Sequence, residues 1–274
     1  TRYRAFTFVK YLTYVLLSFN VWLFLQEELL ALEHTFKDGF ELGQLIQVFA
    51  ATIDTAAWVI LLLLFELETS VLDDDKIKGP LKWTLHGIRG LCYVAVYWAF
   101  TGYYAELVTL YEVTAMPGID LCAQLNQGWS LLITIDEYEP LSAANCAVAG
   151  DIYQLTGFNI VADADTLQDV QYLGWTDVIN SAAWILVVIV LEVEVRLQLR
   201  GNLSDRIMEA NKYLKFALYG VLFAAAGYWG YAGDFLDFWD ASLWLFAFIF
   251  IELNVFEWQY ETQHQDAAET PESV

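Results

Sequence analysis

The chain has 274 residues, 58% of them apolar, 16% aromatic and only 18% charged, with a mean hydropathy of +0.42. That composition is too apolar for a solvated globule and far too apolar for a disordered chain, so the expected fold is all-α and integral to a membrane. Its 35 acidic residues against 13 basic ones, a net charge of −22, exclude nucleic acid as a partner, because phosphates demand a basic surface.

A bilayer core takes about 20 mainly apolar residues per helix. Six stretches meet that need: Ala5 to Leu25, Leu45 to Glu68, Leu85 to Tyr104, Tyr172 to Val195, Tyr213 to Tyr231 and Phe235 to Trp258. The first starts among Arg2, Arg4 and Lys10 and is followed by no small-residue cleavage site, so it reads as a retained anchor. Of the 13 Lys and Arg, all but Lys37 lie near the N-terminus, between the second and third stretches, or between the fourth and fifth; Glu106 to Thr176 has none. Because basic residues collect in cytoplasmic loops, both termini are expected in the cytoplasm, with the 106–171 loop periplasmic or extracellular, as in a bacterial inner-membrane protein. That loop holds Cys122 and Cys146, which an oxidising exterior would join; a bridge closing such a loop contributes about 3 kcal/mol.

An internal repeat runs through this map. Asp54, Asn180 and Asp240 each stand four residues before a tryptophan (Trp58, Trp184, Trp244), and Glu66, Glu192 and Glu252 stand eight after it. Glu68, Glu194 and Asn254 follow two further on. Each odd stretch opens on a lysine followed by an aromatic: Lys10-Tyr11, Lys82-Trp83 and Lys212-Tyr213. The expected architecture is therefore six transmembrane helices in three tandem hairpins: residues 1–72, residues 73–200 including the loop 106–171 as a small disulfide-containing cap, and residues 201–260. The tail over 261–274 reads as acidic and cytoplasmic.

Ionisable groups inside a span are costly and therefore informative. Glu66, Glu192 and Glu252 fall near the level of Lys10, Lys82 and Lys212, so the structural reading is a set of ion pairs clamping the helices, and the functional one a ring of carboxylates at a cation entrance. At 100° per residue Asp54, Asn180 and Asp240 share a helix stripe with the three tryptophans. Asp54 lies deep in an apolar run and needs a partner: a Ser, Thr or Tyr hydroxyl on the structural reading, a cation or proton on the functional one. Against transport, no proline falls within any stretch, so all the helices are expected to be unbroken.

His34, His86 and His264 fall in different compartments, which argues against a bis-His haem or a His-rich metal centre. No metal site or cofactor is expected. A bound lipid suits the aromatic surfaces; a pigment or quinone at His86 or the Trp-rich faces, and calcium at Asp136, Glu137 and Glu139 or at Asp163, Asp165 and Asp169, are minor alternatives. The chemistry reads as non-enzymatic. The first expectation is an accessory or scaffold subunit of a larger membrane assembly, partnered by lipids and by other subunits or copies of itself. The alternative is a cation or proton channel or transporter using the repeated carboxylates.

Overall fold

The computed structural model describes residues 2–37, 39–71, 78–199 and 205–248. Helix α1 covers Arg2–Thr35, α2 Leu45–Val48, α3 Ala50–Glu66 with a π-helical continuation over Leu67–Val71, and α4 Pro80–Tyr111. Strands β1 (Val113–Ala115), β2 (Ser130–Leu132), β3 (Tyr138–Pro140), β4 (Ile152–Leu155) and β5 (Ile160–Asp163) follow, then α5 (Ala164–Leu199), α6 (Asp205–Ala232) and α7 (235–248). Each expected apolar stretch coincides with helix, the last as far as residue 248. Among the described residues, two helices are long and apolar enough to cross a membrane, Ala5–Thr35 and Ala164–Glu194, or three if α2 and α3 form one bent crossing.

The second stretch departs from the expectation of unbroken helices. At Phe49 (φ −124°, ψ 35°) the chain bends by 75° between α2 and α3. No Pro or Gly lies between Leu45 and Ala57, so the cause is tertiary. A helix start leaves its first N–H groups without partners, and a carboxylate from another helix supplies them here. Glu28 of α1 accepts from the Ala51 N–H (2.8 Å), the Thr52 N–H (3.3 Å) and the Thr52 hydroxyl (2.5 Å). On the other side α4 presses against the break at Gly102, where a Cβ would lie 2.5 Å from the Ile46 carbonyl oxygen and 3.0 Å from the Ala50 Cβ. Gly102→Ala is therefore expected to destabilise by about 1–3 kcal/mol despite the better helix propensity of alanine, whereas Gly87→Ala, with nothing within 4 Å of its Cβ, should gain up to about 1 kcal/mol. Equilibrium unfolding in mixed micelles checks the pair.

The cap is a five-stranded sheet in the order β1-β4-β5-β2-β3, antiparallel except for the β2–β5 pair. The Cys122–Cys146 disulfide is formed, tying the turn at Leu121–Gln124 to the segment after β3. Helix α5 begins where β5 ends because Asp163 caps it, accepting from the Asp165 and Thr166 N–H groups (3.1 and 3.0 Å) and the Thr166 hydroxyl (2.8 Å). Burial works to raise the Asp163 carboxyl, but these hydrogen bonds together outweigh it and hold the group below its ordinary range. The sheet does not stand apart from the helices: Leu132, Ile135, Leu155 and Ile160 share one core with Val187 of α5 and Leu222 of α6.

Candidate functional site

At the end of the bundle away from the cap, Lys10 Nζ of α1 lies 2.8 Å from Glu66 Oε1, and Glu66 also accepts from the Tyr11 hydroxyl (3.0 Å) and the Tyr14 hydroxyl (3.3 Å). This buried carboxylate has its cation and two further donors, the arrangement expected of a clamp. The other lysine partners differ from expectation. Glu194 pairs with Lys215 (2.7 Å) and receives the Asn211 amide (2.7 Å), while Glu68 pairs with Arg89. Arg89 lies two turns along α4 from Lys82, and Lys215 one turn along α6 from Lys212, so each sits on nearly the same face but deeper; Lys82 and Lys212 are exposed. Glu192 lines a central cavity with His86 and Arg89. Glu252 and Asn254 lie outside the described residues, as does the tail over 261–274.

The three repeated tryptophans meet. The Trp58 ring lies 6.2 Å from Trp184 and 6.5 Å from Trp244, in tilted and edge-on arrangements. One turn towards the cap, Asp54, Asn180 and Asp240 line the same cavity of about 640 Å³, which continues past the tryptophans to Phe65, His86 and Arg89. Asp54 Oδ2 accepts from the Tyr103 hydroxyl (3.2 Å), the expected kind of hydroxyl partner, and Asp240 Oδ1 from the Asn20 amide of α1 (2.6 Å). Yet Asp54 Oδ1 and Asn180 Oδ1 are buried and accept no well-formed hydrogen bond among the described residues. Native interiors leave few such atoms, so each calls for an explanation.

Towards the cap the polar lining continues. A cavity of about 40 Å³ is bounded by Asp54, Asn180 and Asp240 together with Tyr103, Asp177 and Asp237. Next to it, one of about 70 Å³ shares Tyr103, Asp177 and Asp237 and adds Glu28, Glu106 and Asp136. Among the described residues, no Lys, Arg or His lines either. Carboxylate oxygens of Glu27 (α1), Asp136 (cap) and Asp237 (α7) come within 4.8 Å of one another. That spacing matches a shared cation held through oxygen at 2.3–2.6 Å.

Burial, with the charges of Asp234 and Glu137 beside it, pushes the Asp136 carboxyl up to about 7; burial also raises Asp234, and holds the Tyr138 hydroxyl well above its ordinary range with help from Glu106 and Asp136. A carboxyl whose folded pKa exceeds its unfolded one of 3.8 binds more protons when folded, so its contribution weakens stability as pH rises. The expected result is an unfolding temperature that falls between about pH 4 and 7 in chelator, with Asp136→Asn flattening the slope; calorimetry of the purified protein measures both.

Of the acidic groups at this end, sequence reasoning had considered only Asp136, as a calcium ligand beside Glu137 and Glu139, and it missed Glu27, Glu28, Glu106, Asp177, Asp234 and Asp237. One signal was available: Asp177 and Asp237 stand three residues before Asn180 and Asp240, on the same helix face. An apolar crevice of about 430 Å³ lies between α4 and α5, lined by Tyr93, Tyr97, Ile185 and Ile189. The chain matches no protein-family model, no curated protein and no solved structure.

Proposed function

We propose that the protein moves cations across a membrane, crossing it six times as three tandem hairpins with the cap on the extracytoplasmic side and both ends inside. The observation that carries this reading is the series of cavities from the cap-facing carboxylates through Asp54, Asn180 and Asp240 to the tryptophan-floored chamber, each sharing lining residues with the next. A row of buried acids with no cationic partner in the first two chambers is costly to maintain and attracts positive charge. The bend at Phe49 supports the same reading, because discontinuous helices are typical of transporter sites. In this reading Glu27, Asp136 and Asp237 receive the cation, Asp54 and Asp240 hold it midway, and Glu192 faces it beyond the tryptophans. Glu66, Glu68 and Glu194 are structural clamps.

The scaffold-subunit reading draws on those clamps, since buried ion pairs between helices also suit a static assembly. The two separate in proteoliposomes loaded with indicators for protons, for sodium or potassium, and for divalent ions. Cation flux that is lost in Asp54→Asn supports transport. Failure of the wild type to move any of these ions, in preparations that purify with tightly bound partner subunits, supports the scaffold.

A further inference from the structure

We propose that Asp54, Asn180 and Asp240, with Asp177 and Asp237 beside them, form a binding site for one divalent metal cation; this deepens the transport reading and rests on it. Four carboxylates from α3, α5 and α7 surround a cavity of about 40 Å³ that, among the described residues, no Lys, Arg or His lines. Three accept a hydrogen bond through one oxygen, Asp54 from Tyr103 (3.2 Å), Asp177 from the Trp229 indole N–H (3.2 Å) and Asp240 from Asn20 (2.6 Å), with the Trp58 indole beside Asp54 and the Trp244 indole beside Asp240. Each therefore keeps a second oxygen for a ligand. Independently of the charge, Asp54 and Asn180, which both line this cavity, each have a buried Oδ1 that accepts no well-formed hydrogen bond among the described residues. Both are acceptors, so water, hydroxyl or cation would satisfy them, but only a cation also offsets the carboxylates. An all-oxygen set of carboxylates and an amide carbonyl is the ligand chemistry of hard divalent ions. A monovalent ion or a lone proton leaves most of the charge uncompensated. The volume leaves room for the ion with about one retained water.

Mn²⁺ is the probe, followed by electron paramagnetic resonance and titration calorimetry on the full chain in lipid nanodiscs, with Ca²⁺ and Mg²⁺ as competitors. The inference expects one saturable Mn²⁺ per chain, weakened at least tenfold by Asp54→Asn and by Asn180→Ala, and by less than about threefold in Glu194→Gln, a residue that lines none of these cavities. Asp240→Asn carries the same expectation should either variant fail to fold, as monitored by gel filtration and circular dichroism. If Asp136→Asn abolishes binding while Asp54→Asn leaves it intact, the ion sits at Glu27, Asp136 and Asp237 and the inference is overturned, although transport stands. If no Mn²⁺ binds but proton or sodium flux is lost in Asp54→Asn, the divalent assignment falls alone. Absence of both binding and flux overturns the transport reading with it.

Discussion

Asp54→Asn should reduce cation flux in proteoliposomes at least a hundredfold while leaving the folded protein intact. Asparagine matches aspartate in shape and keeps an oxygen to accept the Tyr103 hydroxyl, so the substitution removes charge and little else. The carboxylate lines both the small polar cavity and the large chamber, the point at which the two are joined. Removing one negative charge from four that line one cavity relieves repulsion, so the ion-free variant should unfold at an equal or higher temperature than the wild type. A variant that loses flux and also unfolds several degrees lower would mean that Asp54 is structural. Glu194→Gln is the control: its partners Lys215 and Asn211 lie away from the cavities, and flux should change less than threefold.

The largest stability effect is expected at the buried pair of Lys10 and Glu66. Lys10→Met removes the ammonium that lies 2.8 Å from Glu66, whose side chain is 7% exposed, at a cost of about 3–5 kcal/mol. The double variant Lys10→Met with Glu66→Gln removes both charges yet keeps acceptors for Tyr11 and Tyr14, and should recover to within about 1 kcal/mol of the wild type. Unfolding in mixed micelles or by steric trapping measures the cycle. A cost below 1 kcal/mol for Lys10→Met would show that the pair does not clamp α1 to α3.

Spacing made the centre of the site legible. Because a helix repeats every 3.6 residues, a polar residue four before a tryptophan places both on one face, and Asp54, Asn180 and Asp240 do line one cavity beside Trp58, Trp184 and Trp244. The cysteines were legible as a bridge for a similar reason: their shared loop has no Lys or Arg and reads as exposed to an oxidising side. Depth was less legible. The lysine opening each odd helix marks a level only to within a turn or two, so Lys10 reached Glu66, while Lys215 and Arg89 pair with Glu194 and Glu68, outside the expected set of Glu66, Glu192 and Glu252.

From the amino-acid order alone came the greasy, helical character, the places of the helical stretches though not their full lengths, the disulfide and the polar positions facing inward, all properties that hydropathy and helical periodicity determine within a few turns of chain; the five-stranded sheet of the cap departs from the all-α expectation, because its pairing joins strands far apart in the loop. Only the tertiary structure decided that the second stretch bends at Phe49 and that Glu27, Asp136 and Asp237 converge. The reason is the same in both cases. The bend depends on a carboxylate in α1 that supplies the acceptors a new helix start requires and on a glycine of α4 fitted against it, and the convergence on residues more than two hundred positions apart. Local patterns carry no trace of partners at that distance.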